Sequence, residues 1–521
     1  MKVERTKNAT RNIIFGFILK IYQLALPFLM RTVMIYCLGV QYLGLNSLFT
    51  SVLQVLNLAE LGVGNAMVFS MYKPIAEDDT STICSLMKLY RLYYRIIGLV
   101  ICILGLLLLP VIPQLIRGNV PSDINIYILY LLNLATTVLT YWLFAYKNCL
   151  VTAHQRTDVT SKVTILTNSF QYILQFVTLF FLHNYYIYLI IALVTQVITN
   201  ISTAAVVNKM YPNYHPKGTL NKQLTKQINQ RIRDLFTSKI GSVIVNSADT
   251  IVISAFLGLT MLAIYQNYFY ILNSIIGIVS ILFQSCTAGI GNSLIVETKQ
   301  KNFNDLKKFT FLIAWLSGFS TCCLLCLYQP FMKIWVGEDL MLGFTAVICF
   351  CIYYYVYEIN LLFNMYKDAA GIWHKDRFRT LITALTNLTL NLLTVNYWGI
   401  YGVIFSTVLS VLLVGMPWLL NNLFTCLFDK CNLKNYLFKL FRYTLSIIVI
   451  SILCFVFCNL ISLEGWPLLI VRCIICIIIF NGVFIIIYRN TNEFGELLNL
   501  VNRTSSGKLK FITDKLMKKN K

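Results

Sequence analysis

The sequence predicts an all-α polytopic membrane protein of about fourteen transmembrane helices, arranged as two pseudo-symmetric six-helix lobes followed by two C-terminal helices. Three observations predict it. The 521 residues are 58% hydrophobic and 12% charged, with a mean hydropathy of +0.70, more apolar surface than one water-soluble core can hide. The Lys and Arg residues fall in short gaps between apolar runs of roughly 20 residues. Two stretches, Leu38 to Pro74 and Leu257 to Thr298, echo each other. Each begins Leu-Gly and runs apolar into Gly-x-Gly-Asn, at Gly62-Val63-Gly64-Asn65 and at Gly289-Ile290-Gly291-Asn292, the mark of one helical hairpin used twice.

The apolar runs lie near 12–37, 44–70, 89–110, 125–145, 164–182, 186–207, 240–257, 263–290, 309–329, 343–366, 379–396, 400–422, 443–461 and 468–488. An even number places both termini on one side. With that side cytoplasmic, about 38 of the 43 Lys and Arg are cytoplasmic, two (Lys20 and Arg31) lie within the first helix, and only Arg117, Lys333 and Arg472 fall at or near the outside, so the positive-inside rule fixes the orientation. The net charge of +22 is therefore topological, and no nucleic-acid partner is expected. The N-terminal MKVERTKNATR has no cleavable-signal pattern, so the first run is expected to stay as helix 1 of a multi-pass membrane protein.

Helix 1 carries Lys20, Pro27 and Arg31. Pro27 removes a mid-helix hydrogen bond and predicts a kink or unwinding there, which in a bilayer is tolerated where neighbours or water satisfy the freed carbonyl. Helix 2 ends in Glu60 and the Gly62/Gly64 pair. All outside loops are short. One long internal connection, 208–239, begins with Pro and Gly, then places Leu224, Ile228, Ile232 and Leu235 at helical spacing, predicting a basic amphipathic helix on the inner leaflet.

That linker divides the chain into an N-lobe (1–207), the linker (208–239), a C-lobe (240–425), helices 13 and 14 (426–488) and a basic cytoplasmic tail (489–521). The halves align at an offset of 219, which sets Leu38-Gly39 on Leu257-Gly258 and Asn168 on Asn387; at 220, His154 falls on His374. With an even helix number per half, the repeat is parallel, as in two lobes that rock about a central site. The tail ends in GKLKFITDKLMKKNK, either a solvated anchor or a segment drawn to anionic inner-leaflet lipid.

Catalytic signatures are absent. No P-loop pattern occurs, and His154, His183, His215 and His374 lack ligand spacing. Most of the sixteen cysteines lie inside apolar runs, as in Cys322-Cys323-Leu-Leu-Cys326 and Cys473-Ile-Ile-Cys476, and read as small packing residues, with no metal or cofactor expected. What remains is a set of ionisable residues in apolar surroundings, each costing at least about 2.5–3.5 kcal/mol at mid-bilayer unless it faces protein or water.

These are Lys20, Arg31, Glu60, Asp249 and Glu358. Arg31 aligns with Thr250, next to Asp249, so the two charges are candidates either for a site where an anionic substrate competes for Arg31 or for a permanent ion pair. Lys20 is a second candidate for the substrate or a snorkelling residue. Glu60 and Glu358 suit proton or cation coupling. Pro27, Gly62, Gly64, Gly289 and Gly291 are read as hinge and close-packing positions.

With two six-helix lobes, two extra apolar helices, a basic linker and the stretches LGVQYLG…LAELGVGNA and ADTIVISAFLGLTMLAIY, the chain resembles the polysaccharide-repeat-unit (Wzx-type, O-antigen or capsule) flippases of the multidrug/oligosaccharidyl-lipid/polysaccharide exporter superfamily. The resemblance implies a non-enzymatic transporter that moves undecaprenyl-pyrophosphate-linked oligosaccharide from the inner to the outer leaflet by alternating access. It also implies Arg31 and Lys20 as contacts for the pyrophosphate, and a polysaccharide polymerase and glycosyltransferases as partners. Two other readings stand beside it: an ion-coupled multidrug exporter of the same superfamily, and a membrane polysaccharide polymerase or ligase, which the short outer loops disfavour.

Overall fold

The structure is a computed structural model that describes residues 5–60, 62–118 and 120–504. Among the described residues every regular element is helical. In order they are α1 (Arg5–Cys37), α2 (Val40–Leu56), α3 (Val63–Ala76), α4 (Thr80–Leu108), α5 (Ile126–Trp142), α6 (Asn148–Ala153), α7 (Thr157–Val177), α8 (Tyr185–Met210) and α9 (Lys222–Leu257). There follow α10 (Leu259–Val296), α11 (Lys299–Val336), α12 (Phe344–Ala369), α13 (Arg379–Ser410), α14 (Met416–Cys426), α15 (Asn432–Asn459), α16 (Gly465–Ile475), α17 (Asn481–Tyr488) and α18 (Asn492–Thr504).

Eleven of these segments are long and apolar enough to cross a membrane, or twelve if α5 and α6, bent by 46°, form one span. The sequence predicts about fourteen, and two features account for the difference. The second run breaks at 57–62, leaving α2 and α3 at 17 and 14 residues. The eleventh and twelfth runs join into one 48-residue stretch, Arg379–Cys426, although Gly399 at φ 55 and ψ −132 interrupts the helical backbone.

The chain forms two compact units, Met1–Gln266 and Asn267–Lys521. In the first, α2 is buried nearly all round through Leu45, Leu48, Phe49 and Val52, and packs against α9, α1 and α5. The repeat is visible in the backbone. Gly39 (φ 109, ψ 165) ahead of α2 and Gly258 (φ 92, ψ 171) ahead of α10 adopt the same left-sided conformation, open to glycine and strained for other residues. At Gly44 a Cβ would lie 2.4 Å from the Leu259 carbonyl oxygen, so only glycine lets α2 approach this junction. The C-terminal end of α9 is tied to the segment after α4: Ser254 donates to the Leu115 carbonyl at 2.7 Å, and the Arg117 guanidinium donates to the Phe256 carbonyl.

The linker helix and the seventh span are one continuous α9 of 36 residues. Leu224, Ile228, Ile232 and Leu235 are its less exposed positions, as their spacing predicts, with Ile228 only 1% exposed. Its apolar face packs on protein rather than only on lipid. Leu235 and Ile232 press against Gly62, Arg231 sits 4.2 Å over the Phe69 ring, and Tyr93 donates to Asn229 at 2.5 Å.

In the second unit, Phe363, Tyr366, Leu419, Phe424 and Tyr436 join α12, α14 and the start of α15 in one core. A second core clamps α15, α16 and α17 onto α11 through Phe311, Cys322, Ile450, Cys454, Cys476, Phe480 and Phe484. Trp315 adds a 2.9 Å hydrogen bond to Asn481. The tail starts as α18, whose Phe494 and Leu497 join this core and whose Glu496 pairs with Lys308 at 3.2 Å. The basic run Gly507–Lys521 lies outside the described residues.

Candidate functional site

The most developed polar constellation lies at the break between α2 and α3. Residues 57–60 form one 3-10 turn, and Gly62 then takes a left-handed φ of 88° before α3 begins. Glu60 sits on this break, part-buried, with its carboxylate accepting from two tyrosines. Tyr94 of α4 donates to Oε1 at 2.8 Å and Tyr141 of α5 reaches Oε2 at 3.2 Å. Tyr141 is also 3.2 Å from Asn57 Oδ1, so its single proton serves one acceptor at a time. Tyr90 donates to the Tyr94 hydroxyl at 2.5 Å.

The rings pack on one another, with centroids 4.3 Å apart for Tyr90–Tyr94 and 5.4 Å for Tyr94–Tyr141. Gly64 completes the wall: a Cβ there would stand 3.2 Å from the Tyr90 hydroxyl and 3.9 Å from Glu60 Oε1. A carboxylate held by neutral donors at an interrupted helix can hold a small cation, since no side-chain cation is already bonded to it among the described residues. Interrupted helices with free backbone groups are where membrane transporters place such ions.

The other predicted positions are distributed along both units. Lys20, Pro27 and Arg31 lie on α1, which stays helical through Pro27. Arg31 is close enough to Tyr188 of α8 to act on it electrostatically. Asp249 is buried on α9 at 7% exposure, and its neighbour Thr250 accepts a 2.9 Å hydrogen bond from Gln266. Arg31 and Asp249 thus belong to the same compact unit.

Glu358 lies on α12 in the second unit, fully buried, with neither carboxylate oxygen hydrogen-bonded among the described residues. The two Gly-x-Gly-Asn sequences differ in structure. Gly62 terminates a turn with positive φ, whereas Gly289 and Gly291 lie within the uninterrupted α10; Gly289 has open space around it, and a Cβ at Gly291 would lie 3.3 Å from the Ala369 carbonyl oxygen.

Tyr90, Tyr94 and Tyr141 are the site residues that sequence reading passes over. The signal was the Tyr-x-x-x-Tyr spacing of Tyr90 and Tyr94 on α4, one helical turn apart on one face. A basic group close by was also missed. Lys147 is 8% exposed and donates to Asn208 at 2.6 Å, and Arg91 lies 5.9 Å from the Tyr146 ring. The left-handed Phe144 at the α5–α6 bend turns Lys147 inward. No sequence motif marks that bend.

Each unit also holds an acid–arginine pair at the start of a long helix, α7 in the first and α13 in the second. Asp158, at the first residues of α7, accepts from Arg156 at 2.9 Å and lies 3.4 Å from Lys162. Asp376 accepts from Arg379 at 2.7 and 2.9 Å, and Arg379 also donates to Asn364 at 2.8 Å. Beside the first pair, His154 is buried, its Nδ1 2.8 Å from the Leu150 carbonyl and its ring stacked on Tyr211 at 4.4 Å. Desolvation holds its pKa below the ordinary histidine value of 6.5.

The sequence profile of the polysaccharide biosynthesis protein family matches residues 9–287. No curated protein matches the sequence. Among solved structures, the fold is similar to the lipid II flippase MurJ in an inward closed conformation, at 17% identity over 92% of this chain and 99% of that chain, with a TM-score of 0.65. It is also similar to an inward-facing multidrug resistance MATE family transporter of the MOP superfamily, at 15% identity over 77% of this chain and 93% of that one, TM-score 0.57. A MOP superfamily transporter from Pyrococcus furiosus is 13% identical over 82% and 96% of the two chains, TM-score 0.53. These neighbours share the polytopic helical fold and are flippases or transporters, not enzymes.

Proposed function

The chain belongs to the polysaccharide biosynthesis protein family, and from that premise we propose that it is a flippase carrying undecaprenyl-pyrophosphate-linked oligosaccharide repeat units from the inner to the outer leaflet of a bacterial cell membrane, by alternating access. Both termini are cytoplasmic on this reading, and the product passes to a polysaccharide polymerase after glycosyltransferases have built it.

The observation that carries the proposal is the pair of apolar helices, α15 and α16–α17, added to the transporter fold. With α11 and α12, α15 encloses an apolar cavity of about 630 Å³ lined by Leu325, Ile348, Ile352, Leu440, Ile448 and Phe455. An apolar surface of that size suits part of a hydrocarbon chain, which a drug exporter does not have to accommodate. One solved structure of the same fold is a lipid II flippase.

In this reading Arg31 and Lys20 meet the pyrophosphate, with Asp249 competing for Arg31 when no substrate is bound. Glu60 and Glu358 are the ion-coupling acids, and Pro27, Gly62, Gly64, Gly289 and Gly291 are hinge or close-packing positions. An interior-negative potential favours outward movement of negative charge by about 2.3 kcal/mol per charge per 100 mV, so no nucleotide hydrolysis is required. Anionic inner-leaflet lipid is the partner for the basic tail.

An ion-coupled multidrug exporter is the second reading, favoured by the tyrosine-held Glu60. Deletion in the producing cell separates the two. The flippase reading expects lipid-linked repeat units to accumulate and surface polysaccharide to disappear, with drug susceptibility unchanged. Normal polysaccharide with raised drug susceptibility would favour the exporter.

A further inference from the structure

Seven of the sixteen cysteines lie on three helices of the second unit that pack against one another: Cys322, Cys323 and Cys326 on α11, Cys454 and Cys458 on α15, and Cys473 with Cys476 at the end of α16. As separate CxxC and CxxxC pairs each reads as packing. In the fold they converge. The sulfur atoms of Cys322, Cys326 and Cys476 all lie within 4.8 Å of one another, and all three residues are completely buried. Cys454 and Cys458 of α15 are buried in the same core, and Cys323 packs against it. All are free thiols.

Two further features point to a ligand. The helix changes to a π-turn at Cys476–Phe480, one of three such turns among the described residues, a local widening that is frequent at functional positions. One turn earlier, Arg472 extends across the three helices. Its Nη1 donates to the Cys326 carbonyl at 3.1 Å and its Nη2 to Asn459 at 3.4 Å, while its Nε is buried with no hydrogen-bond partner among the described residues. The Cys458 thiol points at the Arg472 carbonyl, 4.0 Å away. The part-exposed Arg472 guanidinium sets one positive charge beside the buried thiols, which an anionic group there would offset.

We propose that Cys322, Cys326 and Cys476 form a binding site for a soft monovalent cation, Cu(I). The donor set is sulfur alone, which selects thiophilic ions over hard ones, and the compact group is three sulfurs, where structural zinc takes four ligands. Loading releases one proton per thiolate formed. Two thiolates and one neutral thiol around Cu(I) give a net charge of −1, which the Arg472 guanidinium balances, so the loaded site is neutral within the bilayer. The ion would staple the end of α16 to α11, and Arg472 is a positioning residue for it.

The test uses the full chain purified in detergent under reducing, oxygen-free conditions, titrated with Cu(I) against bicinchoninate as competitor. One Cu(I) per chain is expected, with only sulfur in the first coordination shell by X-ray absorption and a rise in Tm on loading. Replacing Cys322, Cys326 and Cys476 by Ser should abolish binding, whereas Cys102→Ser with Cys349→Ser should leave it intact. Cys476→Ala alone, a milder change to packing, should lose the Tm response. Arg472→Gln should weaken Cu(I) binding about 10–100-fold. Failure of the wild-type protein to compete for Cu(I), retention of copper by the folded triple variant, a nitrogen or oxygen shell, or a native disulfide among the three cysteines would each overturn the site.

Discussion

Tyr94 donates a hydrogen bond to the Glu60 carboxylate at 2.8 Å, and itself accepts one from Tyr90 at 2.5 Å. Glu60 is thereby fixed at the place where the α2–α3 segment leaves α-helical geometry. Removing the Tyr94 hydroxyl with Tyr94→Phe is expected to destabilise this break by about 1.5–3 kcal/mol, the range for a hydrogen bond to a charged group. Glu60→Gln keeps an acceptor for Tyr94 and should preserve stability while weakening the response of transport to an imposed cation gradient. Thermal unfolding in detergent and transport with and without a sodium gradient check the pair; equal loss of stability in both variants would make Glu60 a structural residue only.

The two Gly-x-Gly-Asn sequences should respond oppositely to the same change. Gly62→Ala must adopt a positive φ and meets the Leu235 Cβ at 2.5 Å, so it is expected to cost about 1–3 kcal/mol. Gly289 is helical, and a Cβ added there would have no atom within 4 Å, so Gly289→Ala should be neutral or stabilise by about 0.5–1 kcal/mol. Tm measurements on the two variants decide it, and a comparable loss at both sites would contradict the difference between the two copies.

The acid–arginine pairs also differ by burial. Asp376 and Arg379 have side chains 4% and 5% exposed, whereas Arg156 and Lys162 around Asp158 are 25% and 48% exposed. Asp376→Asn leaves a buried guanidinium without its partner and should cost about 3–5 kcal/mol. Asp158→Asn, with solvent reaching both cations, should cost clearly less. A larger loss at Asp158, read by thermal unfolding, would reverse the assignment.

His154 gives a prediction in pH. Its folded pKa is lowered by desolvation, so the fold prefers the neutral ring and the unfolded chain takes up the proton more readily. The contribution is complete above the unfolded pKa of about 6.5 and is lost progressively as pH falls below it toward the folded value. Tm should therefore drop faster between about pH 6.5 and 5 in the wild type than in His154→Phe, which keeps the stacking on Tyr211 and removes the titration. Parallel curves would contradict the role of His154.

Much of this architecture was legible from apolar period and charge placement. The face of α9 that turns inward, Leu224, Ile228, Ile232 and Leu235, is the one its spacing marks, because helical periodicity survives whether the face meets lipid or protein. What it meets was not legible, since Gly62 and Phe69 come from a distant part of the chain. The Leu-Gly repeat predicted matching junctions, and Gly39 and Gly258 share a backbone conformation. Similar letters at Gly62 and Gly289 did not carry the same geometry, because Gly62 is pressed by α9 and Gly289 has open space.

The candidate site was half legible. An acid beside glycines in an apolar run singles out Glu60, but its tyrosine partners come from α4 and α5, and tyrosines in membrane helices are too common to point anywhere without the fold. The cysteines show the same limit. Each local pattern signals packing, and only the approach of α11 and the end of α16 brings the three sulfurs together.

The central claim is transbilayer movement of a lipid-linked oligosaccharide, and reconstitution tests it most directly. Vesicles containing only this protein and a labelled undecaprenyl-pyrophosphate oligosaccharide should exchange the label between leaflets faster than protein-free vesicles, with Arg31→Ala slowing the exchange. Exchange equal to that of empty vesicles, across several oligosaccharides and ion gradients, would contradict the account.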